Sequence, residues 1–176
     1  MKVFLDNFSK TFFEKNNLAV TDPNSLNPDQ NWMKAALAEA ENSATDVPVG
    51  CVIVRNNVII ASAHNQRELN QDPTAHAEII AIRQAAAHLN RWRLDDVCLY
   101  TTLEPCPMCA EALLQARVPR LVFGAYDIKS GAVGSAFNLY CEGRIYPLPE
   151  VKGGVLEHNC QKLLIDFFKN KARSIK

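Results

Sequence analysis

Two short stretches hold residue types that could do chemistry together: His76-Ala77-Glu78 and Pro105-Cys106-Pro107-Met108-Cys109. Cys106 and Cys109 are three apart, so on a helix they share a face and can grip one ion as thiolates. Pro105 suits the first helical position, where a missing N–H costs nothing. Both sulfurs then fall in the first turn, where the helix dipole favours negative charge and lowers a thiol pKa. His76 supplies a neutral third ligand, and the fourth corner of a tetrahedral ion is left for water. Glu78 stands too near His76 to be a comfortable fourth ligand, but it is well placed to move protons. The set suits a metal-activated water with a carboxylate beside it.

Each half alone says little. A lone Cys-x-x-Cys is more often a structural zinc corner or a redox pair, and a lone His-x-Glu is nearly meaningless. A structural site needs a fourth protein ligand, and the nearest candidates, Cys98 and His88, lack a matching spacing. A thioredoxin-like pair would follow a strand with no ligand-type His-x-Glu on the preceding helix. With both halves in order, one helix and one strand apart, H-x-E…P-C-x-x-C is the pattern of zinc-dependent nucleobase deaminases. Zinc can bring the pKa of a bound water from roughly 15.7 to about 7. Two thiolates donate charge to the ion and blunt that effect, so a nearby base becomes more necessary. Glu78 is expected to take the water proton and pass it to a ring nitrogen of the base. Zinc-held hydroxide attacks the carbon bearing the amino group, and Glu78 then protonates the departing ammonia.

Several elements must position these groups. An apolar stripe of Trp32, Ala36, Leu37 and Ala40 predicts a helix at about 29–43, with Asp29 as its cap. Strands at 49–54 and 58–63 follow, joined by Asn56-Asn57, a favourable hairpin pair. Asp72-Pro73-Thr74 is read as the start of a second helix that carries His76 and Glu78, with Ile79, Ile80, Ile82, Ala86 and Leu89 beneath. A third strand at 97–102, the cysteine helix from 105 to about 116 and a fourth strand at 120–125 come next. A Gly/Ser-rich turn at 129–135 leads through a less regular stretch to a short edge strand at 150–152. The last helix, about 156–173, has Leu163, Leu164, Phe167 and Phe168 on one side, with Lys162, Lys169, Lys171 and Arg173 on its other side and at its end. This order predicts an α/β fold: three layers, α/β/α, around a central mixed five-stranded sheet.

Composition sets the outer limits. Lys+Arg 19 against Asp+Glu 19 leaves no net charge, so any contact with nucleic acid must come from a local patch. Six cysteines do not imply disulfides here: two are claimed by the metal, and Cys51 and Cys98 fall in apolar runs that read as buried strands. A reducing cytoplasm is the expected location. No secretory segment is legible, and no apolar run approaches the length of a membrane span. Residues 1–30 read as an N-terminal extension, a short amphipathic helix with Phe4, Leu5, Phe8, Phe12 and Phe13 followed by a linker. Residues 31–176 read as the deaminase domain.

Nearly all of residues 32–172 resembles the bacterial tRNA adenosine deaminases, the TadA family. The matching segments are Val47-Pro48-Val49-Gly50, Asp72-Pro73-Thr74-Ala75-His76-Ala77-Glu78, Thr102-Leu103-Glu104-Pro105-Cys106-Pro107-Met108-Cys109 and the run from Val122 to Ser135. The first three also suit guanine and cytosine deaminases; the fourth points to the tRNA enzyme. The resemblance implies a cytidine deaminase-like fold, a homodimer and one zinc ion per subunit. It also implies conversion of the wobble adenosine of a tRNA anticodon stem-loop to inosine. By the same resemblance Asn65 hydrogen-bonds the flipped adenine, Val49 forms part of the pocket wall, and Asp127 and Lys129 touch neighbouring nucleotides. Without the resemblance, Asn65 could merely cap a turn, and Asp127 and Lys129 could be solvated turn charges. The first 30 residues have no counterpart in the family's compact form, and 137–149 matches loosely. His64, His88 and His158 have no partner that the sequence names. The nearest rival is a free-base guanine deaminase, which Pro107 and Trp92 would suit. A rival of another class is a non-catalytic zinc-containing RNA-binding subunit, against which Glu78 speaks.

Overall fold

The computed structural model describes residues 27–141, 143 and 145–173. The amphipathic helix expected near the start of the chain lies outside them. Helix α1 (Pro28–Ala40) runs into a single 3-10 turn, Glu41–Ser43. Its proline stands at the N-terminal end, where no intrahelical N–H is needed. Asp29 does not cap it. The cap position is Asn27, and the Asp29 carboxylate turns inward to Arg120, Lys152 and the Tyr100 hydroxyl. Two cations and a phenol are stronger partners for a buried carboxylate than free helix N–H groups.

Strands β1 (Gly50–Arg55) and β2 (Val58–His64) form the expected hairpin. Asn56 and Asn57 both take positive φ, 49° and 61°, which matches the turn to the twist of the strands. A four-residue helix α2 (Arg67–Asn70), which the sequence did not announce, precedes α3 (Ala77–Leu89). Then come β3 (Cys98–Leu103), α4 (Pro107–Ala116), β4 (Arg120–Ala125), β5 (Glu150–Lys152) and α5 (Glu157–Arg173). The sheet order is β2-β1-β3-β4-β5. The first three strands are antiparallel and the last three parallel, so the sheet is mixed.

Side-chain alternation divides the core in two. Cys51, Ile53, Leu99 and Leu121 face Ala77, Ala81 and Ala85 of α3 and Leu113 of α4. Val52, Val54, Tyr100 and Val122 face Trp32, Met33 and Ala36 of α1 and Cys160 of α5. One bulge corrects the pattern. The pairing steps from Ile53↔Ala61 to Val54↔Ile59, so Ile60 is an extra residue and Ile59 turns to the α1 face.

Two glycines show how closely the layers meet. A Cβ at Gly50 would lie 2.0 Å from the Ala36 carbonyl oxygen, so α1 rests directly on strand backbone. A Cβ at Gly124 would lie 2.2 Å from Cys160 Sγ, which seats α5. That helix is packed less fully than its stripe suggests: Leu163, Leu164 and Phe167 are half-buried and Phe168 is exposed. Among the described residues, no helix is long and apolar enough to cross a membrane.

Candidate active site

Two helix starts converge on one side of the sheet. Asp72 accepts hydrogen bonds from the Thr74 backbone and hydroxyl, both at 2.7 Å, which closes a local turn and delays α3 until Ala77. His76 therefore occupies the N-cap of α3 in extended conformation. Cys106 is the corresponding N-cap of α4, and Pro107, not Pro105, takes the first helical position. The correction has a simple cause. The proline nearer the helix supplies the preset φ, and the residue before a proline is pushed to extended backbone. Cys106 thus turns back over the helix end, beside Cys109 in the first turn.

His76 Nδ1 lies 3.7 Å from Cys106 Sγ and 3.5 Å from Cys109 Sγ. One donor atom from each of the three lies within 4.8 Å of the others. Ligands of a tetrahedral zinc ion stand roughly 3.5 Å apart at ordinary Zn–S and Zn–N distances, so imidazole and two sulfurs fit that ion. Neither Cys98 nor His88 joins the cluster. The charges follow the geometry. The Cys109 thiol donates to Cys106 and, with His76 adding to the effect, holds its pKa at about 4. The same hydrogen bond pushes Cys109 up, helped by burial. His76 is raised chiefly by its hydrogen bond to Cys106.

Glu78, the second residue of α3, is 3 % exposed. Its Oε2 has no hydrogen-bond partner among the described residues, and burial raises its pKa. A buried carboxyl oxygen without a partner is costly and commonly functional. Its carboxyl also meets the Cys109 thiol, so it belongs to the same cluster.

Asn65 follows β2 and is tied to both sides of the site. Its Oδ1 accepts from the Ala77 backbone N–H at 2.9 Å, between His76 and Glu78, and its Nδ2 donates to the Val47 carbonyl at 3.0 Å. Its own N–H donates to the Val49 carbonyl at 3.1 Å. Val49 is buried in the core beneath α3. Asp127 and Lys129 lie on the loop after β4. Asp127 caps that loop by accepting from the N–H groups of Lys129 and Ser130 and from the Ser130 hydroxyl. Partial burial works against its ionisation, but these bonds, led by Ser130, hold its pKa below the usual carboxylate range. Lys129 is exposed. The loop reaches the cluster through Glu104, a buried carboxylate two residues before Cys106 whose motif is legible in the sequence but whose task is not. Its only sequence signal is a charge set between the apolar end of a strand and a proline. His64, which the sequence left without a partner, is bonded through Nδ1 to Glu39 Oε1 at 2.7 Å.

Comparison with known proteins agrees with this geometry. The sequence pattern described as the cytidine and deoxycytidylate deaminase zinc-binding region matches residues 26–125. The chain is 46% identical over 146 residues to the tRNA-specific adenosine deaminase of Bacillus subtilis (strain 168), covering 82% of this chain and 91% of that protein. It is 43% identical over 148 residues to the enzyme of the same name from Haemophilus influenzae, covering 81% and 84%. A solved structure from studies of A-to-I editing by tRNA:A34 deaminases at the wobble position superposes with a TM-score of 0.73. It is 40% identical and covers 76% of this chain and 98% of its own. Guanine deaminase from Nitrosomonas europaea superposes with a TM-score of 0.66 at 25% identity, covering 87% and 91%.

Proposed function

The chain belongs to the cytidine and deoxycytidylate deaminase family and, within it, to the tRNA-specific adenosine deaminases; from that membership we propose how its residues divide the work. It is a zinc-dependent aminohydrolase that converts the wobble adenosine of tRNA to inosine. His76, Cys106 and Cys109 hold one zinc ion. When bound, zinc supplies the Lewis acidity that makes a water nucleophilic near neutral pH.

Glu78 moves the protons. It accepts one from the attacking water as the new C–O bond forms and returns it to a ring nitrogen of adenine. It then carries the remaining proton of the added hydroxyl to the amino group, so that the C–N bond breaks, ammonia leaves and the oxygen becomes the carbonyl of inosine. The observation that carries this reading is the unpartnered, buried Oε2 of Glu78 beside the three-donor cluster. A carboxyl with a raised pKa exchanges protons more readily near neutrality.

Asn65 reads the flipped base. One amide hydrogen is committed to Val47, and a carboxamide has a second, which we assign to adenine. Val49 walls the pocket, and Asp127 and Lys129 meet nucleotides beside the target. The RNA is an anticodon stem-loop, whose splayed bases can be stacked and hydrogen-bonded singly. The deaminase unit is taken as residues 31–176, and residues 1–30 as an N-terminal extension. The working form is taken as a homodimer, which the family resemblance implies. A cytoplasmic location fits a tRNA substrate.

The test separates the two substrate classes. Incubation of the zinc-loaded chain with an adenosine-bearing anticodon stem-loop, followed by nucleoside analysis, should give inosine, and guanine should release no ammonia. Ammonia from guanine with no inosine from the stem-loop would overturn the assignment.

A further inference from the structure

Glu104 sits between Leu103, the last residue of β3, and Pro105. Its backbone N–H donates to the Ala125 carbonyl at 2.9 Å, and the residue is 2% exposed. A carboxylate this deep needs several donors. Among the described residues, all its side-chain hydrogen-bond donors come from one loop. Oε1 accepts from the backbone N–H groups of Val133 at 3.2 Å and Ser135 at 3.0 Å. Oε2 accepts from the Asp127 N–H at 3.1 Å and from the Ser135 hydroxyl. Alongside, the Ala132 N–H donates to the Pro105 carbonyl at 2.8 Å. Gly131 passes so close that a Cβ there would stand 2.4 Å from the carboxyl carbon of Glu104. The chain from Asp127 to Ser135 is wrapped around a single carboxylate, and that carboxylate is two residues from a metal-ligating cysteine.

We propose that Glu104 is a positioning residue that fixes the 127–135 loop, and with it Asp127 and Lys129, against the Cys106–Cys109 turn. The placement of neighbouring nucleotides is thereby registered to the reacting base. This rests on the reading that Asp127 and Lys129 meet RNA. The choice of side chain is specific. A carboxylate has two oxygens that only accept, and all four partners here donate. A glutamine of the same shape would turn an NH2 group toward at least one backbone N–H, so the loop must move while the core stays filled.

Steady-state kinetics on an anticodon stem-loop, with zinc content and melting temperature recorded for each zinc-loaded variant, test this. Glu104→Gln should keep one zinc per chain and raise KM about tenfold, with kcat changed far less. Ser135→Ala removes only a hydroxyl from an exposed residue and gives a second arm if Glu104→Gln folds poorly. It should raise KM about threefold. Lys129→Ala should raise KM alone, and combined with Glu104→Gln should raise it no further than the larger single effect. An unchanged KM in Glu104→Gln and Ser135→Ala, with KM raised in Lys129→Ala, would overturn the proposal and leave the RNA-contact reading standing. An unchanged KM in both Lys129→Ala and Lys129→Glu would overturn that reading, and this proposal with it.

Discussion

Asn65 joins stability and recognition in one side chain. Its two amide ends bond backbone groups of opposite kind, an N–H at Ala77 and a carbonyl at Val47, and this fixes which end is oxygen. Removing both partners' bonds leaves buried polar groups unpaired. Asn65→Ala should therefore lower the unfolding free energy by about 2 kcal/mol, measured by denaturant titration. Its loss of inosine formation should exceed what the remaining folded fraction explains. Unchanged stability would show that the amide serves the substrate alone. At this scale the sequence was most legible where spacing carried the chemistry: His76, Glu78, Cys106 and Cys109 stand where His-x-Glu and Cys-x-x-Cys put them. It was silent where partners are remote. Asp29 and Arg120 are 91 residues apart and His64 and Glu39 are 25 apart, so no local pattern could pair them.

The elements were legible in type and order, and less so at their ends. Both site helices begin two to five residues later than propensity suggests, at Ala77 and Pro107. In each case a local device outcompetes the helix: an Asp72 side-chain turn before one and a proline-imposed extended residue before the other. The delay matters, because it puts His76 and Cys106 at N-caps, where their side chains fold back toward one another. Helix α2 was missed because four residues show no periodicity. Close packing was equally invisible. At Gly50 a side chain would strike the Ala36 carbonyl, so Gly50→Ala must lift α1 from β1. Thermal and denaturant melting should show a loss of about 3 kcal/mol. A neutral result would contradict the direct seating of that helix on the strand.

For the molecule as a whole, the absence of net charge turns attention to where charges are placed. Asp29 of α1 binds Arg120 of β4 and Lys152 of β5, which ties one helix to the parallel side of the sheet. The Arg120 guanidinium holds the Asp29 carboxyl far below the usual carboxylate range, against the effect of burial. A carboxyl with a depressed folded pKa adds stability above its unfolded value, about 3.9, and loses it as pH falls toward the folded value. Wild type should therefore weaken below about pH 4 more steeply than Asp29→Asn. At pH 7 Asp29→Asn should be less stable by about 2 kcal/mol, the figure for a buried pair reduced for partly exposed partners. Parallel stability–pH curves for the two would rule this out.

The same molecule brings one imidazole, two sulfurs and a buried carboxylate to a single point, and the assignment of labour among them is open to a paired experiment. Zinc per chain and inosine per stem-loop are to be measured on one preparation of Glu78→Ala. Retention of one zinc, as in wild type, with inosine formation reduced about a thousandfold or more, is the expected outcome for a proton carrier that does not ligate the metal. Loss of zinc together with Glu78, or turnover that survives its removal, would contradict it.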